Sequence, residues 1–192
     1  MDPTTPLLPG AGAQRRRVAF LGPPGTFTEE ALLTQSDLAD AELLPLRSMP
    51  EVLATVEAGG ADVGFVAIEN SIEGTVNLVI DALVFDHHLL VQREVVHEIT
   101  ENLLAAPGTA LADITRVVSF PNALGQCRGW VNANLAGVEE VASNSTSEAA
   151  RAVADAGLGS GCAAIGGSLA AKLYGLEAVS YTHLRAHETG RN

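Results

Sequence analysis

The sequence predicts an α/β fold, on three observations. Short β-branched or apolar runs alternate with helix-period segments, several strand-to-helix junctions carry small hydroxyl or amide residues, and the alternation begins after the loose first sixteen residues. Strands are expected at residues 18–21, 42–46, 63–68, 89–96, 103–106, 115–118, 138–142 and 163–166, in a mostly parallel sheet. Helices are expected at 27–34, 50–58, 76–84, 122–134, 147–156 and 168–174, the last closed by Gly175. The charged stretch 89–106 is longer than one ordinary strand and is expected to carry the chain between lobes. The expected organisation is a flexible extension over 1–16, a first lobe over about 17–92, a second over about 93–170, and a return toward the first lobe over 171–179. A ligand cleft is expected where strand carboxyl ends meet.

Composition narrows the function. With 47% apolar and 18% charged residues the chain is too apolar for disorder. A formal charge of -12, with Lys172 the one lysine, leaves no basic stripe for nucleic acid. The apolar run after Arg15-Arg16-Arg17 ends at Gly22-Pro23-Pro24, too soon for a signal-peptide core. No stretch has the length of a membrane span, and Cys127 and Cys162 are too few for a disulfide framework. A cytoplasmic protein with reduced thiols is expected.

Three helix starts carry the pattern of Ser or Thr followed three residues later by Glu: Thr26–Glu29, Ser48–Glu51 and Ser145–Glu148. Ser48 is read as a simple cap. The other two follow strands, after the tight Gly22-Pro23-Pro24-Gly25 turn and after Ala142-Ser143-Asn144. Helix N-termini attract anions through free N–H groups and the helix dipole, so such junctions suit a dicarboxylate in a chain poor in lysine.

The segment Glu69-Asn70-Ser71-Ile72-Glu73-Gly74 packs acid, amide and hydroxyl groups into one loop after the third strand. Two readings stand open: a cleft-facing constellation, and a solvated turn in which Asn70 bonds its own backbone. Glu69 and Glu73 as a glycosidase pair would need a fixed separation that nothing in the sequence sets. Ser119 follows the strand ending at Val118 and opens the helix of Gln126, whose side chain lies about one turn in. Cys127 has no neighbouring base and is read as an inert buried thiol. His87-His88 and His183 with His187 lack partners at ligand spacing, and no metal site is expected.

Five segments together resemble the prephenate dehydratases: FLGPPGTFTEEAL at 20–32, FVAIENSIEGTVNLVIDAL at 65–83, VVSFPNALGQC at 117–127, SNSTSEAA at 143–150 and AAIGGSLAAKLYGL at 163–176. The resemblance implies a two-lobed fold like the type II periplasmic binding proteins, with a central ligand cleft. It implies a cofactor-free conversion of prephenate to phenylpyruvate in phenylalanine synthesis, and a homodimer or homotetramer in the full-length protein. By motif, Glu69, Asn70, Ser119 and Gln126 would be catalytic, and Thr26, Phe27, Thr28, Ser71, Asn144, Ser145 and Thr146 would bind substrate. Under this reading Glu69 is open between a buried acid with a raised pKa and a cap.

Two departures stand out. The family's Ser-His-Pro-Gln is Ser119-Phe120-Pro121-Asn122 here, and no Thr-Arg-Phe occurs. Residues 180–192 are expected to be a non-native tail without strand period, on a chain cut before its last catalytic segment and regulatory ACT domain, and full activity of this chain is not expected. The alternatives are a two-lobed domain that binds a small carboxylate without chemistry, and a hydrolase using Ser119 or Cys127.

Overall fold

A computed structural model describes residues 15–38 and 40–184. The chain divides into two compact units. The first comprises residues up to Pro23 together with Thr28–His97, and the second comprises Pro24–Phe27 and residues from Glu98 onward.

The first unit is built on a three-stranded parallel sheet in the order β2-β1-β3, from Arg17–Leu21 (β1), Glu42–Leu46 (β2) and Val63–Phe65 (β3). The central strand is apolar on both faces, as a strand covered on two sides requires. Val18 and Phe20 pack with Leu32 of α1 (Phe27–Leu33) and with Leu38, while Ala19 points the other way to Val52 of α2 (Met49–Glu57) and Ala61. Ser48 caps α2, its hydroxyl accepting from the Glu51 amide at 3.3 Å. Beyond β3 the chain forms a small hairpin from Glu69–Asn70 (β4) and Gly74–Thr75 (β5), then α3 (Asn77–Asp81), which runs on into a π-helical turn over Ala82–Asp86.

Two expectations change here. The third strand stops at Phe65 instead of running to 68, because the chain turns into the β4–β5 hairpin. Residues 89–96 form no strand. Their exposure partly alternates, but alternation alone makes no ladder, and no described strand pairs with them. Side chains anchor this stretch instead. The Arg93 guanidinium donates to both Asp37 carboxylate oxygens at 2.9 and 3.1 Å and to Gln35 Oε1 at 3.1 Å. Upstream, Glu57 accepts from the His88 amide at 2.8 Å and lies 2.7 Å from His87 Nδ1.

The second unit carries a five-stranded mixed sheet in the order β10-β6-β9-β7-β8. Its strands are Glu101–Ala105 (β6), Arg116–Ser119 (β7), Glu139–Ala142 (β8), Cys162–Gly166 (β9) and Glu177–Leu184 (β10). β7 runs parallel to β8 and β9, whereas β6 is antiparallel to β9 and β10. Period-two alternation sorts the side chains cleanly. Leu103, Ala105, Ala163 and Ile165 face α4 (Pro121–Asn134), meeting its Leu124, Cys127 and Val131. Leu104 and Ala164 face the opposite way, toward Ala149, Ala150 and Val153 of α5 (Thr146–Ala156) and Ala170 of α6 (Ser168–Tyr174). Gly175 ends α6 in the left-handed conformation, φ +65°. β10 was not expected from the sequence: it reaches Leu184, five residues into the segment set apart as a tail, and it pairs irregularly with β6.

Glu101 breaks the apolar pattern of β6. It shares the inward face with Leu103 and Ala105, is 6% exposed, and its Oε2 has no hydrogen-bond partner among the described residues. Burial pushes its carboxyl up from 4.5 to about 7. On the same face, burial and then the charge of Glu101 push the Cys127 thiol up to about 12.

Because the folded pKa of Glu101 is raised, its contribution is intact below 4.5 and stability is lost as pH rises through about 7. Glu101→Gln is therefore expected to stabilise the protein at pH 8 by roughly 3 kcal/mol and to converge with the wild type toward pH 4.5, read from denaturant midpoints across pH. Asp37 behaves oppositely. The Arg93 hydrogen bond holds its carboxyl below the ordinary value of 3.8, so that contribution is present above 3.8 and lost as pH falls through the lowered pKa. Arg93→Met should cost about 1–2 kcal/mol at pH 7, the difference narrowing in acid.

Candidate active site

The carboxyl ends of β7, β8 and β9 lie side by side in the second unit, because Ser119 pairs with Ala142 and Val118 with Ala164. Each of these ends opens into a helix, so three turns of small residues converge on one edge of the sheet. Ser119 is fully buried, and its hydroxyl donates to the Ile165 carbonyl across the sheet at 2.7 Å. Its own carbonyl accepts from the Ser143 amide at 2.8 Å, which directs the chain from β8 toward α5.

Ser145 caps α5, its Oγ accepting from the Glu148 amide at 3.0 Å. The cap serves one N–H, and the other first-turn amides have no acceptor within the helix. Thr146 lies beside the end of β9: a methyl group built on Gly166 would stand 3.4 Å from its carbonyl oxygen and 3.7 Å from its Cβ. Asn144 is exposed at the same turn, and Ser145 and Thr146 are half-buried.

Pro24–Phe27 completes this edge. A Cβ on Gly25 would fall 2.8 Å from Ser147 Oγ and 3.2 Å from Ala170 Cα, so the Gly-Thr-Phe turn lies directly on the starts of α5 and α6. Thr26 and Phe27 are half-buried here. Among the expected site residues the structure thus gathers Thr26, Phe27, Ser119, Asn144, Ser145 and Thr146 along one sheet edge. Gln126 sits half-buried on α4, at the border of the helix face that carries Cys127 into the core.

Thr28, Glu69, Asn70 and Ser71 belong to the first unit. Thr28 is half-buried in α1, while Glu69, Asn70 and Ser71 are exposed on the β4–β5 hairpin. Asn70 Oδ1 accepts from the amides of Ile72 and Glu73 at 2.9 and 3.2 Å, the turn-forming role left open from the sequence. Glu69 is exposed, not buried.

The chemistry available at the sheet edge is hydrogen-bond donation by hydroxyls and backbone amides. Nucleophilic chemistry is poorly served: Ser119 Oγ is buried against a carbonyl, and the Cys127 thiol is pushed up to about 12, far from a reactive thiolate. Among the described residues no group of three His, Cys, Asp or Glu side chains is placed to hold a metal ion, and no helix is long and apolar enough to cross a membrane. His187 lies outside the described residues.

Sequence reasoning missed Ser147 and Tyr174, whose hydroxyls donate to the Pro24 carbonyl, and the buried Glu101. Glu101 was findable, since it sits two residues before Leu103 and four before Ala105 on an alternating strand. Ser147 also had a signal, a polar residue on the face of α5 that carries Ala150. Tyr174 had none.

The family model described as prephenate dehydratase matches residues 18–188. The chain is 39% identical over 173 residues to a prephenate dehydratase of Mycolicibacterium gilvum, covering 85% of this chain and 55% of that protein. Among solved structures it is similar to the prephenate dehydratase of Arthrobacter aurescens in complex with L-Phe, with TM-score 0.78 and 38% identity over 85% of this chain and 54% of that one. It is also similar to GqqA, described as a novel type of quorum quenching acylase, with TM-score 0.75 and 32% identity over 86% and 58% of the two chains. The chain spans about half the length of the curated relatives it matches. The match runs through both units and through every turn of the sheet edge: this chain belongs to the prephenate dehydratase family.

Proposed function

We propose that this chain carries the catalytic region of a prephenate dehydratase, and that the edge formed by Ser119, Asn144–Thr146 and Thr26–Phe27 binds the substrate. The observation that carries the reading is the capped start of α5, set beside the ends of β7 and β9 within a family match that covers all of them. The first turn of an eleven-residue helix offers backbone donors and a favourable dipole to a carboxylate without a buried cation.

The reaction asks little covalent chemistry of the protein. In prephenate the bond from the ring to its carboxylate breaks, the electron pair moves through the ring, and the opposite carbon–oxygen bond breaks as the hydroxyl takes up a proton. Prephenate and one proton give phenylpyruvate, carbon dioxide and water. No cofactor enters that balance. The protein's contributions are to orient the dianion and to favour protonation of the departing hydroxyl. Glu69, Asn70, Ser71, Thr28 and Gln126 are proposed as participants on their motifs alone. We further propose a cytoplasmic setting and a homodimer or homotetramer of the full-length protein. The acylase description of GqqA is not adopted, since neither Ser119 nor Cys127 is set up as a nucleophile.

Incubation with prephenate at neutral pH, followed by the alkaline absorbance of phenylpyruvate, tests the reading against a no-protein control. A companion protein carrying an Asn-x-Thr-Arg-Phe end in place of residues 185–192 is assayed in parallel. Turnover above the control in either protein is the expected result, and none in a folded companion sinks the reading in favour of a binding domain. In the active protein, Thr146→Ala is expected to raise KM about tenfold through loss of a hydrogen bond to a carboxylate. Glu69→Gln is expected to act mainly on kcat.

A further inference from the structure

The Pro24–Phe27 segment lies between β1 and α1 in sequence, yet it belongs to the second unit. One carbonyl secures it. Pro24 O accepts a hydrogen bond from Ser147 Oγ and another from the Tyr174 hydroxyl at 3.0 Å. A carbonyl oxygen has two lone pairs, and both are used. Ser147 is fully buried in the first turn of α5, and Tyr174 is the last residue of α6, so the two donors reach the same oxygen from different helices. Their own oxygens are 3.4 Å apart.

The next residue closes the contact. Gly25 has φ +91°, a conformation that side chains disfavour, and the space where a Cβ would sit is taken by Ser147 Oγ and Ala170 Cα. The segment is therefore held by two donors and a steric fit in sequence, immediately before Thr26 and Phe27. Ser147 is also the immediate neighbour of Thr146, so one turn of α5 both offers amides to a ligand and grips the segment beside them.

We propose that Ser147 and Tyr174 are positioning residues for the reaction: by sharing the Pro24 carbonyl they set Thr26 and Phe27 against the first turn of α5. The proposal rests on the dehydratase reading above. Neither side chain needs to touch substrate, because each acts through the Pro24 carbonyl. Two donors on one acceptor also give a particular signature: removal of either leaves the other bond in place, and only removal of both frees the segment.

The test compares Ser147→Ala, Tyr174→Phe and the double variant with wild type, using whichever form turns over prephenate. Each single change is expected to lower kcat/KM about threefold and the double about thirtyfold, more than the product, chiefly through KM. Amide hydrogen exchange supplies the second readout. In the double variant, protection of the amides of residues 25–27 should fall while that of β7 holds. Wild-type kinetics in the double variant, multiplicative losses, or exchange that loosens β7 equally would overturn the proposal. If no form turns over prephenate, the dehydratase reading falls separately, and exchange still decides the clamp: unchanged protection at residues 25–27 in the double variant overturns it.

Discussion

The second unit depends on the parallel, in-register pairing of β7 with both β8 and β9. That register, Val118 with Val141 and Ala164, ends three strands at one level and puts their exits side by side. A slip of one residue would send Ser119 to the opposite face and break its bond to the Ile165 carbonyl. Ala163 and Ala164 leave room for α4 on one face and α5 on the other, so the helices that start at the edge are held by the same residues that build the core.

The electrostatic design follows from that geometry. A chain of formal charge -12 cannot attract a dianion with its overall field, and it carries a single lysine. Under the proposed function, the donors are backbone amides fixed by capping and by strand pairing, which would need no reorganisation to receive an anion. Ser145 satisfies one amide of α5 and orients the rest of the turn. The cost of this economy is that position matters: a dipole binds well only at short range, so the segments that carry the donors must be held firmly.

Much of the fold was legible in the sequence, and the omissions have physical causes. The strands around residues 103 and 163 were readable because both faces of the sheet are covered, which leaves near-continuous apolar runs. Residues 89–96 have the composition of a strand, but a strand exists only with a partner, and pairing is a property of the whole fold. β10 was invisible for the converse reason: its Ser180-Tyr181-Thr182-His183 stretch has no apolar period, and pairing with β6 defines it. The site shows the same division. Ser119 and Ser145 could be found from strand-to-helix junctions, which are local. The bonds from Ser147 and Tyr174 to Pro24 span 123 and 150 residues, and no local pattern announces them. At Asn70 the local pattern was informative in another direction, since its side chain is engaged by its own turn.

Under the proposed function, the edge where β7, β8 and β9 end binds a dicarboxylate through fixed backbone and hydroxyl donors. The most direct measurement is an amide chemical-shift titration of isotope-labelled protein with prephenate, under conditions where it is not consumed. The largest saturable shifts are expected on Thr26, Phe27 and residues 144–147. Saturable shifts confined to other surfaces, or none at millimolar prephenate, would rule out binding at this edge.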